Sequence, residues 1–211
     1  MARTNKGILG HFNGTVGTVV GATWRGVEYM RSKSKRRTKA ATPGQLDQQA
    51  KFRLVTAFIK ALGGIVGRAF NDPGAEMTGR NRAFAYNFRN ALMGTYPAYA
   101  LDYTRVLVSE GILLSASIAP ATDGGNGQVH FTWTPNTGGN ADDSDSCTAV
   151  VYCPDLNRSV SSVNGDARSA GSHTLDAAMF AGKTVQTWLF FNAANGRDVS
   201  TSVYTGQVVL A

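Results

Sequence analysis

The chain has 211 residues, of which 43% are apolar, and it carries a formal charge of +7. That is enough for one large domain or two small ones around a real core. No run of 18 apolar residues occurs, which excludes a membrane-spanning helix. The apolar run at Ile8-Leu9 is broken by Gly10, His11 and Asn13, so no secretory signal is legible.

The charge is unevenly placed. Residues 1–100 carry 16 Lys and Arg against the four acids Glu28, Asp47, Asp72 and Glu76, a net +12. Residues 101–211 carry five cations and ten acids, a net −5. A basic end facing an acidic one points to an anionic partner, either nucleic acid or the acidic half of a neighbouring copy.

The first distinctive stretch is Gly7 to Lys39. Glycines recur at 7, 10, 14, 17 and 21, with Thr and Val between them. Thr15 to Trp24 reads as a β-branched strand and Val27 to Arg31 as a second one. Arg25-Gly26 between them suits a two-residue hairpin turn. Val20, Ala22 and Trp24 should share one face, and Val19, Gly21 and Thr23 the other. Glycine inside a strand weakens it unless a backbone or flat ring must come close. So glycine-rich a hairpin is marginal alone and needs a surface to lie on. Next, Arg31, Lys33, Lys35, Arg36, Arg37 and Lys39 put six cations into nine residues. This run reads either as a solvated linker or as an anion-binding arm.

Thr42-Pro43-Gly44-Gln45 marks a helix start, with Thr42 as N-cap, Pro43 at N1 and Gln45 completing a capping box. The helix should run to about Leu62, with Leu54, Val55, Phe58, Ile59 and Leu62 as its core stripe and Gly63-Gly64 as its end. Ile65 to Phe70 reads as a short helical turn. A second helix is expected from Arg80 to Met93, with Phe84, Phe88, Ala91 and Leu92 on one face. Tyr96-Pro97 marks a boundary.

From Tyr103 the period changes from 3.6 to 2. Val106 and Val108 alternate with Arg105 and Leu107, and about seven strands are expected, at Ile112–Ala119, Gln128–Trp133, Ser146–Tyr152, Arg158–Val163, His173–Leu175, Val185–Asn192 and Ser202–Leu210. Short strands separated by Gly, Asn and Asp loops are the signature of a β-sandwich. Trp133 and Trp188 are expected to face each other across its core. Cys147 and Cys153 fall in one such strand or at its immediate end. Six extended residues span about 20 Å, too far for a mutual disulfide, and free thiols fit a reducing compartment.

Val129-His130-Phe131-Thr132-Trp133 and Trp188-Leu189-Phe190-Phe191-Asn192-Ala193-Ala194-Asn195-Gly196 with Ser200–Ser202 resemble the second strand and last hairpin of a fibronectin type III-like or immunoglobulin-like module. The resemblance covers about residues 112–211 and implies a scaffold for binding or spacing, with no particular chemistry. The whole chain also resembles an uncharacterised family of similar length from Bacteroidota and their mobile elements. The carriers are Gly17-Thr18-Val19-Val20-Gly21, Trp24-Arg25-Gly26, Tyr29-Met30-Arg31-Ser32, Thr42-Pro43 with Gln45, Phe84 to Asn87, Tyr96-Pro97 and Phe131-Thr132-Trp133. The Gly-rich start followed by Arg-Ser and a Thr-Pro-x-Gln helix is similar, more loosely, to proteins encoded among phage structural genes.

Catalytic and metal patterns fail on spacing. Gly182-Lys183-Thr184 is similar to the end of a P-loop, but Ala177 stands where its first glycine belongs and a strand follows. His11, His130 and His173 are scattered. Asp142, Asp143 and Asp145 make an acidic loop that reads as a solvated turn, since the closing Glu of a Ca²⁺ loop would fall near Pro154. No catalytic residues, cofactor or metal site are therefore expected.

The expected architecture is α+β: a glycine-rich hairpin and basic arm over residues 1–41, a helical segment over 42–100 with two helices, and a fibronectin III/immunoglobulin-like sandwich over 101–211. The expected function is non-enzymatic assembly, as a component of a bacteriophage or phage-derived particle. Val19, Val20, Trp24 and Tyr29 would be the assembly contacts, with Arg25, Arg31, Lys33, Lys35, Arg36, Arg37 and Lys39 meeting an acidic protein face of another copy or particle protein. The alternative is nucleic-acid binding through the 31–39 run. The expected location is a virion, after synthesis in the bacterial cytoplasm.

Overall fold

The structure is a computed structural model that describes residues 3–4, 10–35, 38–70, 77–117 and 119–211. The chain divides into two compact units, Met1–Thr42 and Pro43–Ala211.

The first unit is a four-stranded antiparallel sheet of order β1-β2-β3-β4, formed by Arg3–Thr4, Phe12–Val16, Val19–Trp24 and Val27–Ser32. The expected β3–β4 hairpin is present but belongs to this larger sheet. Arg25 (φ 49°) and Gly26 (φ 84°) make its two-residue turn. Both φ values are positive, as the right-handed twist of the flanking strands requires.

The second unit begins with α1 (Pro43–Ala61), α2 (Ile65–Ala69) and α3 (Gly79–Asn90). α2 is the short helical turn read at Ile65 to Phe70, here a third helix beside the two expected. α1 starts at the predicted Pro43 and ends ahead of Gly63 (φ 67°). α3 is capped by Thr78, whose side chain accepts from the Asn81 N–H. It stops at Asn90, short of the expected Met93, because Leu92–Thr95 (β5) pairs with Ala98–Leu101 (β6) across the cis Tyr96-Pro97 bond.

Seven strands complete the unit: β7 (Ala121–Gly125), β8 (Gln128–Thr132), β9 (Ser146–Cys153), β10 (Arg158–Ser162), β11 (Ser172–Asp176), β12 (Thr184–Asn192) and β13 (Val203–Val209). They form two antiparallel sheets, β11-β8-β7 and β10-β9-β12-β13. This is a β-sandwich of the immunoglobulin-like kind by strand number and layering. β7 is an addition to the strands read from sequence. Residues 103–108, where the period changes, and the described residues of the strand expected over 112–119 (112–117 and 119) run irregularly. They are held by isolated bridges at Leu113 and Ser117 and by side chains on their backbone.

The central feature is that β9 and β12 are buried on both faces. Cys147, Ala149, Val151, Cys153, Val185, Leu189 and Phe191 enter the sandwich interior with Val129, Phe131 and Trp133. The alternate residues Val150, Tyr152, Trp188 and Phe190 enter a second core with Val55, Phe58, Ile59 and Leu62 of α1. The predicted α1 stripe is thus core, laid on the outer face of a sheet. The Trp133–Trp188 pairing is overturned. Trp133 meets Phe191 edge-on at 5.5 Å inside the sandwich. Trp188 lies on the opposite side of the sheet, 6.1 Å from Phe58 and Tyr103. The physical reason is the period-2 alternation of β12: Trp188 and Phe191 are three residues apart and must point oppositely.

Candidate assembly surface

The cross-strand register of the N-terminal sheet pairs Val20 with Arg31, Ala22 with Tyr29 and Trp24 with Val27. Residues directly opposite each other share a face. Val20, Trp24, Val27, Tyr29 and Arg31 are therefore gathered on one side. Val19 lies on the other, with Val16 directly opposite and Met30 opposite Gly21 on β4. Of the four predicted assembly contacts, the structure brings Val20, Trp24 and Tyr29 together and separates Val19.

Both faces of the hairpin keep large apolar side chains open to solvent. Trp24 is 55% exposed, Val27 66% and Met30 67%, and every residue of β4 is exposed. Gly21 is the buried residue among those described in β2–β4. Its burial has the predicted cause: a Cβ there would stand 2.0 Å from the Phe12 carbonyl oxygen and 2.8 Å from its ring. Val16, Val27 and Met30 extend the surface beyond the residues the sequence singled out. The signal for Val27 and Met30 was the register that the Arg25-Gly26 turn sets, and for Val16 the tight Gly17-Thr18 connection to Val19.

Among the predicted cations, Arg25 sits at the turn, and Arg31, Lys33, Lys35 and Lys39 are exposed. Arg36 and Arg37 lie outside the described residues. Backbone pairing of Lys33 N–H with Thr18 O (2.8 Å) carries the β4 edge into the start of the basic run.

In the second unit, the Asp142–Asp145 loop is explained by its own hydrogen bonds. Asp142 accepts from the Ser144 N–H (2.9 Å) and hydroxyl (2.6 Å), which lowers its pKa. Asp145 is buried and pairs with fully buried Arg168 at 3.2 Å. Arg168 also donates to Asn136 Oδ1 (2.9 Å) and the Leu114 carbonyl (2.8 Å), and its guanidinium lies 3.9 Å from the Phe191 ring centre. Desolvation pulls its pKa down while Asp145 opposes that shift. Among the described residues, no group of His, Cys, Asp and Glu is placed to hold a metal.

Folding also assembles a Cys–His–Asp set that spacing did not reveal. His173 Nδ1 is 2.8 Å from Asp166 Oδ2. A Cβ on Gly165 would lie 2.9 Å from both His173 Nε2 and Cys147 Sγ, so the ring and thiol pack on the same glycine. The set is unsuited to nucleophilic chemistry. Cys147 is fully buried, and burial pushes its thiol up to about 12, away from the reactive thiolate. On the helical layer, Tyr99 donates to Asp47, which also pairs with Lys51 at 2.8 Å. These bonds lower the Asp47 pKa and tie α1 to β6.

A sequence profile matches residues 11–206, nearly the whole chain. The chain belongs to the family of unknown function DUF6266. No curated protein matches it. The solution structure of the fn3 domain of the human collagen alpha-1(XX) chain is similar over 46% of this chain and 87% of that one, at 19% identity and a TM-score of 0.32. The sandwich assignment for this DUF6266 member rests on its own strand order and register. No helix among the described residues is long and apolar enough to cross a membrane.

Proposed function

We propose that this protein is a non-enzymatic structural assembly protein whose N-terminal sheet docks on a neighbouring subunit. The observation that carries this reading is the β3–β4 surface, where half-buried Val20 shares one face with Trp24, Val27 and Tyr29, all three exposed. An apolar patch on an exposed edge strand is the form of a protein interface. The adjoining Arg31, Lys33 and Lys35 supply cations that complement the net −5 of residues 101–211 in a second copy. The setting we favour is a bacteriophage or phage-derived particle, reached after synthesis in the bacterial cytoplasm. The looser similarity of the N-terminal pattern to phage structural proteins supports it.

The test is the native mass of the full chain by light scattering at low salt, beside Trp24→Ser/Tyr29→Ser. An oligomer that becomes a monomer in the variant supports the reading. A wild-type chain that stays monomeric at high concentration, and never co-purifies with a particle, sinks it.

A second reading is favoured by one specific observation: Trp24, Tyr29 and Arg31 lie on one face. Such a face suits single-stranded nucleic acid, with rings stacking on bases and cations on phosphates. Binding would then weaken steeply with added salt as counterions are released. No detectable binding at about 50 mM salt, where phosphate contacts are strong, removes it.

A further inference from the structure

The outer face of the four-stranded sheet changes character along its length. Where the helices cover it, it is apolar: Val150, Tyr152, Trp188 and Phe190. By alternation the same face continues through Thr148 and Ser146 on β9 and Asn192 on β12, and it is polar there. That polar end floors a cleft of about 1020 Å³, walled by α2 on one side and the β12–β13 turn on the other. The floor is organised in advance. Asn192 Nδ2 donates to Thr148 Oγ1 at 2.7 Å, and the Ser146 hydroxyl donates to Asn164 Oδ1 at 3.4 Å.

Among the described residues, two guanidinium groups line the cleft, Arg68 from α2 and Arg197 from the turn, and no carboxylate does. Among the described residues neither guanidinium has an ion-pair or hydrogen-bond partner. Arginine is the residue that grips carboxylate and phosphate through paired N–H groups. Hydroxyl and amide side chains beneath it match the hydroxyls of a sugar-like ligand. The volume is at the upper end of small-molecule sites.

We propose that this cleft binds a small polyhydroxylated organic anion, a sugar acid or sugar phosphate. Arg68 and Arg197 take the anionic group, and Ser146, Asn164 and Asn192 take the hydroxyls. The cleft lies wholly within Pro43–Ala211, so the proposal stands apart from the assembly reading of the N-terminal sheet.

The experiment is a calorimetric titration of the full chain with glucuronate, glucose 6-phosphate, glucose and inorganic phosphate, beside Arg68→Gln and Arg197→Gln. Saturable binding of glucuronate or glucose 6-phosphate with Kd at or below about 1 mM is expected, and the two arms distinguish carboxylate from phosphate. Each arginine substitution should weaken binding roughly tenfold, the effect of one charged hydrogen bond. Both side chains are on the surface, so the variants keep the wild-type melting curve. In the wild-type protein, NMR should place the ligand-induced shifts on the Asn164 and Asn192 side-chain amides. The proposal is overturned by an absence of saturation with either sugar anion, or by equal affinity for neutral glucose. It is also overturned by inorganic phosphate binding as tightly as the sugar phosphate, or by binding that ignores both substitutions.

Discussion

Phe190 and Phe191 are consecutive in the chain and belong to different cores. Phe191 packs edge-on against Trp133 inside the sandwich, and Phe190 lies among the residues that meet α1 on the other side of the sheet. β12 and its neighbour β9 therefore act as a shared wall, and the helices and sandwich should unfold as one cooperative body.

The first prediction tests that coupling. Phe58 of α1 stands edge-on to Tyr152 at 5.0 Å and is fully buried, as is Phe191. Truncating a buried Phe to Ala costs about 3–5 kcal/mol through lost transfer energy and the cavity left behind. Phe58→Ala and Phe191→Ala should each lower the same single denaturant transition by that amount. Two separated transitions, with each variant moving only one, would show that the helical layer and the sandwich are independent.

The second concerns Arg168 and Asp145. Their pair is fully buried, and Arg168 also holds Asn136 and the Leu114 carbonyl. Removing one partner leaves an uncompensated buried charge, costing about 3–5 kcal/mol. Arg168→Met should therefore destabilise strongly, and Arg168→Met/Asp145→Leu should recover part of the loss because no lone charge remains. A double variant no more stable than the single one would mean that the guanidinium matters for its hydrogen bonds to the loops, and not for the ion pair.

Much of this arrangement was legible in the sequence. Thr42-Pro43 placed α1, and its 3.6-residue stripe named the buried residues. Arg25-Gly26 fixed the hairpin, and the alternation of Gln128–Trp133 gave β8. Two-sided burial was harder to read. Ala149–Cys153 and Trp188–Phe191 are continuous apolar runs, and such runs mark strands covered on both faces. They do not reveal which residue points where, and so do not show that Trp188 turns away from Trp133. The 103–117 segment departs from a strand for another reason. Its alternating Val106 and Val108 are buried as expected, but its backbone is satisfied by side chains. Asn87 pairs with both the N–H and the carbonyl of Leu107, and the Ser202 hydroxyl accepts from Val108 N–H. β7, with sequence ATDGG, carries almost no strand propensity and forms because β8 offers it an edge.

The third prediction is an alkaline loss of stability through Cys147. Burial holds this thiol protonated to about 12, against an ordinary value near 9.0 in the unfolded chain. Between those values the native state binds the extra proton, so stability falls as pH rises, by up to ~1.4 kcal/mol per pH unit. Below pH 9 the group contributes no slope. Cys147→Ala should flatten the stability curve between pH 9 and pH 11 relative to wild type. In the folded wild-type protein neither buried cysteine should react with a thiol reagent at pH 8 until denaturant is added. Rapid native labelling at Cys147 would contradict the burial on which the argument stands.

The fourth prediction is made at Gly21. A Cβ at this position would come within 2.0 Å of the Phe12 backbone oxygen, a contact that only separation of β2 from β3 relieves. Gly21→Val should therefore break the Thr15–Val20 and Val16–Val19 pairings while leaving β3 and β4 joined through their own turn. Hydrogen exchange should show lost protection over residues 12–21 and unchanged protection over Pro43–Ala211, whose core contains neither residue. If assembly requires the intact four-stranded sheet, the same variant should also lose its oligomeric mass. A Gly21→Val protein that keeps the wild-type mass would place the contact on the β3–β4 hairpin alone, where Trp24 and Tyr29 would carry it without help from β2.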